Sequence, residues 1–179
     1  RPTTAASQRL TKSDATDAFI RDQFEADVLA AASGRLDEWR QTPSGWIALI
    51  ILLDQFPRNI YRNTPKAFAF DEMAQRLTLN ALHAGVDQQM RPIERVFAYL
   101  PLEHAEDLPL QRRSLACFEV LAFEAPEPHK KLYDNYLNYA RRHFDIIERF
   151  GRFPHRNTTL SRPSTPDEVA FLATPGSSF

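Results

Sequence analysis

Apolar residues recur along this chain at steps of three and four, and no stretch alternates with period two for more than a few positions. The pattern predicts an all-α fold of about seven helices in an antiparallel array, each bounded by local punctuation. The first runs from about Asp14 to Ser33, with Phe19, Ile20, Phe24, Val28 and Ala31 on its apolar face. Thr11 or Ser13 is its N-cap candidate, and Gly34 stands just past its end. The second starts at Thr42-Pro43, a cap followed by proline at the first helical position. It is apolar all round from Trp46 to Leu53, which places it in the middle of a core. It is expected to stop near Phe56, because Pro57 disfavours helical backbone in the residue before it.

Thr64-Pro65 gives the same start signal for a third helix, with Phe70, Met73, Ala74, Leu77 and Ala81 following until Gly85. A fourth opens at Pro92, turns Ile93, Val96, Phe97 and Leu100 inward, and ends or kinks at Pro101. Asp107 caps a fifth, which carries Leu110, Leu115, Phe118, Val120 and Leu121. The sixth spans roughly His129 to Phe150, with Leu132, Tyr136, Tyr139, Ile147 and Phe150 along one stripe. A short last helix begins with the capping box Thr165-Pro-Asp-Glu168, ahead of Val169 and Phe171.

A length of 179 residues suits one helical domain over the whole chain, with residues 1–12 an atypical leader expected to be poorly ordered. Arg1 is not a natural start, so sequence upstream is expected. Apolar residues make up 43% and charged residues 25%, which fits a globular protein and not an intrinsically disordered one. The net charge of −1 argues against a nucleic-acid partner. The longest apolar run, Trp46 to Leu53, is too short to span a bilayer, and no signal peptide opens the chain, so a cytoplasmic location is expected. The single cysteine, Cys117, excludes a disulfide framework and any CxxC site, and its apolar neighbours point to a buried, inert thiol.

Three polar segments are unusual for generic loops: Asp54-Gln-Phe-Pro-Arg-Asn59, Pro101-Leu-Glu-His-Ala-Glu-Asp107 and Arg149-Phe-Gly-Arg-Phe-Pro-His-Arg-Asn157. They follow the second, fourth and sixth helices. In an up-and-down array with short connections those helices run the same way, so their ends are expected to gather at one pole.

The same segments, with Leu100-Pro-Leu-Glu-His104 and a tail of Ser164-Thr-Pro-Asp-Glu168 through Pro175-Gly-Ser-Ser-Phe179, resemble signatures of the domain of unknown function 924 family. The resemblance covers roughly Asp14 to Phe179. Arg1 to Lys12 does not match the Trp/Phe-rich segment with which that family usually opens. The resemblance implies a compact helical fold similar to tetratricopeptide-like arrays, and it implies no established activity.

His104, Glu103 and His143 are the candidate proton-transfer groups, His143 lying on the buried stripe of the sixth helix. Asp54, Arg58, Asn59, Glu106, Asp107, Arg152, His155, Arg156 and Asn157 are the candidate ligand-binding residues, the arginines offering planar forks for carboxylate or phosphate. Arg58 and Arg156 are expected to be surface residues that the fold can spare. No metal or cofactor is expected, since the chain has no HExxH, GxGxxG, phosphate-loop or GxSxG pattern. A structural reading stands beside the functional one: acids and arginines at helix ends can form an ion-pair network or cap the helices, and His143 can be a satisfied core histidine. Two function classes remain open. One is a binding protein or enzyme for a small anionic ligand, and the other a tetratricopeptide-like module for a peptide or partner protein.

Overall fold

A computed structural model describes residues 14–177 of the chain. The leader, the N-cap candidates Thr11 and Ser13, and the last two residues of the tail lie outside the described residues. Eight α-helices follow in order: α1 (Asp14–Ala32), α2 (Pro43–Ile50), α3 (Phe56–Ile60), α4 (Asp71–His83), α5 (Pro92–Glu103), α6 (Leu108–Glu124), α7 (Lys130–Phe150) and α8 (Pro166–Leu172). Short 3-10 turns join several of them, and the described residues contain no strand. Among the described residues no helix is long and apolar enough to cross a membrane.

The second helix does not stop at Phe56. A π turn over Ile51–Gln55 links α2 directly to α3, so one helical run continues to Ile60. The reason lies in hydrogen-bond bookkeeping around the proline. In an unbroken α-helix the Pro57 ring would meet the carbonyl four residues back and forfeit a bond. Here the Phe56 N–H donates one residue further, to the Ile51 carbonyl, and the widened turn admits the ring near the start of α3. The burial inferred for this run holds: Trp46, Ile47, Leu49, Ile50, Leu52 and Leu53 all belong to the main core.

Two further boundaries differ. Thr64-Pro65 opens a 3-10 turn, Pro65–Phe68, and α4 itself starts at Asp71. The fourth helix continues through Pro101 to Glu103, since a proline in the last turn costs only one backbone bond. Elsewhere the punctuation works as read. Thr42 accepts from Gly45 N at 3.1 Å, Asp107 accepts from Leu110 N at 2.9 Å, and the Thr165–Glu168 box closes in both directions. Gly45 is also needed for space, because a Cβ there would sit 1.9 Å from the Trp39 carbonyl oxygen.

The main core joins α1, the α2–α3 run, α4, α5, α6 and the first half of α7. A smaller cluster of Ile146, Ile147 and Phe153 lies at the end of α7, with Phe150 and Phe171 packed on it. Gly151, at φ +68°, ends α7 in the left-handed conformation and turns the chain into the Phe153–Arg156 segment. Phe19 departs from its expected place: it is 61% exposed, because Ile20, Val28 and Ala31 define a stripe that it does not share. Phe97 and Val120 are likewise exposed rather than inward.

The burial pattern makes a direct expectation for stability. Ile50→Ala, at a fully buried position, is expected to cost about 2–5 kcal/mol in urea melts. Phe19→Ala is expected to stay within about 0.5 kcal/mol of the wild type. Similar losses for the two variants would contradict the assignment of the α2–α3 run to the centre.

Candidate functional site

The three polar segments meet. Asp54 sits in the π turn, fully buried, where its carboxylate faces the C-terminal end of α5. His104, the residue that caps α5, places Nδ1 at 2.8 and 3.0 Å from the two Asp54 oxygens. Gln55 donates to the same carboxylate, and Arg58 Nη2 donates to Oδ1 at 3.1 Å. Arg58 lies one turn beyond Asp54, and Nη2 is also 3.2 Å from both oxygens of Asp71, at the start of α4. Arg156, from the turn after α7, reaches in from the other side. Its Nη2 donates to the His104 carbonyl at 3.0 Å and its Nη1 lies 3.5 Å from Asp71.

Burial works against ionising Asp54, but His104 and Arg58 outweigh it and hold this carboxyl well below the usual carboxylate range. An ionised Asp54 can only accept, so Nδ1 of His104 carries a proton, and a neutral ring then leaves Nε2 without one. Burial lowers His104 from its ordinary value, and the nearby arginines add to this against the pull of Asp54. Asp71 is pushed up by burial against the pull of Arg58. Burial, reinforced by the charge of Arg58, brings Arg156 down to about 10, still a cation at neutral pH.

A second imidazole stands behind the first, its ring centroid 6.1 Å from that of His104. His143 Nδ1 is 2.8 Å from the Tyr139 carbonyl and 3.1 Å from Glu103 Oε1. Burial with the repulsion of Asp54 pushes Glu103 up to about 8, and burial lowers His143 well below its ordinary range. At neutral pH this buried pair is therefore an uncharged acid beside an uncharged imidazole.

Arg58, His104, His143 and Arg156 border a cleft of about 370 Å³. Its walls carry Arg58, Arg62 and Arg156, the imidazoles of His104, His143 and His155, the polar side chains of Gln55, Asn63 and Thr159, and the ring of Phe68. Among the described residues no carboxylate lines it. Phe68 lies 5.4 Å from the Arg58 guanidinium carbon and 4.6 Å from that of Arg156, which stacks on Phe153 at the same distance on another side. Among the described residues no cluster of His, Cys, Asp or Glu is arranged to hold a metal ion.

The remaining candidates lie away from the cleft and serve the framework. Asn59 donates to Asp17 at 2.8 Å and ties α3 to α1. Asp107 caps α6. Arg152 makes a two-pronged pair with Glu168 at 2.6 and 2.8 Å, and Asn157 donates to Ser164 and Glu168. Glu106 accepts from the Phe153 N–H and pairs with Arg162 at 2.5 and 2.9 Å. This second network clamps the Phe153–Asn157 turn against the tail and so positions His155 and Arg156. Arg156, only 7% exposed and shared between Asp71 and the His104 carbonyl, is not the dispensable surface residue expected of it, and Arg58 bridges two acids. Asp71, Phe68 and Arg62 were not singled out from the sequence. Thr64-Pro65 reads there only as a helix start, and nothing local marks Asp71 as a carboxylate that pairs with an arginine far along the chain.

Comparison with known proteins gives two matches. The pattern of a family described as bacterial protein of unknown function (DUF924) matches residues 2–176. A solved structure of a protein of unknown function from Agrobacterium tumefaciens is similar at 38% sequence identity and a TM-score of 0.81, over 94% of this chain and 90% of the other. No curated protein matches the chain.

The buried acid makes a test by pH. The stabilisation gained by protonated Glu103 is complete below its unfolded value of 4.5 and is lost as pH rises towards its folded value of about 8. Between pH 5 and 8 the unfolding free energy of Glu103→Gln is therefore expected to gain up to ~1.4 kcal/mol per pH unit relative to the wild type. Parallel pH profiles in urea melts would show instead that Glu103 titrates normally.

Proposed function

We propose a function for this chain, which belongs to the DUF924 family of bacterial proteins: it binds a small carboxylate- or phosphate-bearing molecule in the cleft and uses His104 for proton transfer. The observation that carries the reading is the arrangement around His104. Its Nδ1 is fixed by a buried carboxylate, its ring borders the cleft, and two guanidiniums flank it in a wall without acids. The acids of the site, Asp54, Asp71 and Glu103, stand behind the wall and hold the basic groups in place. An anion in the cleft would lie beside guanidiniums already held in place by these acids, which is where a charge-assisted contact counts most. Carboxylate-backed imidazole is the arrangement that orients a base and stabilises the imidazolium formed when it takes a proton.

Arg58 and Arg156 bind the ligand, His104 exchanges the proton, and Asp54 sets the tautomer. Glu103 with His143 supplies a second, uncharged acid–base pair next to them. A peptide-binding surface finds less support, since the polar groups converge on one cleft and do not recur along helix faces.

Because Arg58 and Arg156 also hold Asp71, the informative variants keep the charge and remove the fork. Isothermal titration of the wild type with inorganic phosphate, sulfate and small dicarboxylates is expected to show binding. Arg58→Lys and Arg156→Lys are expected to weaken it roughly tenfold or more, as for the loss of one charged hydrogen bond, while melting cooperatively. Failure of every anion to bind the folded wild type would refute the reading.

A further inference from the structure

We propose that the cleft takes a phosphate monoester and that Nε2 of His104 attacks its phosphorus, so that the protein passes through a phosphohistidine. This rests on the anion-binding reading above and names its substrate class and chemistry.

Geometry selects the phosphoryl group. Arg58 Nη2 and His104 Nδ1 share one acceptor atom, Asp54 Oδ1, at 3.1 and 2.8 Å. Arg156 Nη2 is tied to the backbone carbonyl of the same histidine at 3.0 Å. Both guanidiniums are thus held near His104, one through the shared Asp54 oxygen and one through its backbone carbonyl. A carboxylate offers one edge, which a single fork satisfies, whereas a phosphoryl group spreads charge over three oxygens. Two cations held beside one imidazole suit the second shape. The Arg156 Nε is buried without a hydrogen-bond partner, while Nη1 and Nη2 of the same guanidinium are held by Asp71 and the His104 carbonyl.

The choice of nucleophile follows from what the walls contain. Thr159 supplies a hydroxyl, whereas His104 is the imidazole of the wall that is backed by a buried carboxylate. Cys117 borders a different cleft, beside Tyr99 and Arg113, and burial raises its thiol to about 11. His104 is unprotonated at Nε2, and Asp54 stands ready to balance the charge of a substituted ring.

In the first step the Nε2 lone pair forms an N–P bond as the P–O bond to the leaving group breaks. The leaving oxygen departs with the bonding pair and takes a proton from water in the open cleft. Asp54 keeps the Nδ1 proton in place and pairs with the positive ring. In the second step water attacks phosphorus, the N–P bonding pair returns to Nε2, the hydroxide left from the first step takes the proton that the attacking water loses, and inorganic phosphate leaves. Arg58 and Arg156 hold the equatorial oxygens throughout, and no oxidant or reductant is required.

The test uses p-nitrophenyl phosphate with the full chain. Nitrophenolate release is expected from the wild type and is expected to fall at least about a hundredfold in His104→Gln, in the range typical for loss of such a group. With glycerol present, part of the phosphoryl group is expected to appear as glycerol phosphate, and alkaline-quenched protein is expected to carry an acid-labile phosphoryl adduct at His104. Turnover with neither adduct nor transfer to glycerol would overturn the nucleophile and leave His104 as a base towards water. Binding of inorganic phosphate by titration without any turnover would overturn this inference while the anion-binding reading stands. If neither phosphate nor other anions bind, both readings fall. Retained phosphate binding and a cooperative melt in His104→Gln separate loss of chemistry from loss of fold.

Discussion

An ionised carboxylate buried without solvent contact is the constraint on which the rest of this structure depends. Asp54 is fully buried, and an unpaired charge there would cost several kcal/mol. It is kept by three donors, from His104, Gln55 and Arg58, which come from two different helical elements. The π turn is what makes this possible. It carries Asp54 inside the most apolar run of the chain and still lets Pro57 start another helical turn, so that Arg58 falls one turn after the acid it pairs with. The end of α5 must then bring His104 to the same point, which the continuation of that helix through Pro101 achieves.

Two polar networks with different purposes grow from this point. One runs from Asp54 through Arg58 and Asp71 to Arg156 and faces a cleft. The other, built on Glu106, Arg152, Asn157, Arg162 and Glu168, is saturated internally and holds the turn that delivers His155 and Arg156. The question of site against ion-pair network therefore divides by residue. Arg152 and Glu106 pair within the framework, whereas Arg58 and Arg156 pair with the buried acids and also border the cleft. Aromatic rings complete the division: Phe68 and Phe153 flank the Arg156 guanidinium and limit the hydrogen bonds it can form within the protein.

Much of the fold was legible because its signals are local. Proline and glycine punctuation, the Thr165–Glu168 box and the three- and four-residue periodicity placed the helices, and the parity of their ends placed the polar segments together. Two of the boundary differences share one cause. Proline was read as a helix breaker at Pro57 and Pro101, yet a π turn at one and a position in the last turn at the other absorbed it. For the site, His104, Glu103, Arg58 and Arg156 stood out as unusual residues at helix ends, and His143 as a histidine on a buried stripe. Asp71 and Phe68 did not, because their importance comes only from partners distant in the chain, as with the 85-residue separation between Asp71 and Arg156. The division between Arg152 and Arg156 was likewise invisible, since each is an arginine beside a helix end until its acid partner is known.

The claim at the centre of this account is that Asp54 fixes His104 as the Nδ1–H tautomer with a bare Nε2 open to an anion. Nitrogen NMR of the imidazoles at neutral pH, with and without inorganic phosphate, tests it most directly. The account predicts a neutral ring protonated at Nδ1, with an Nε2 resonance that moves when phosphate is added and stays still in Arg156→Lys at the same phosphate concentration. A ring protonated at Nε2, or one whose nitrogens do not respond to saturating phosphate, would contradict it.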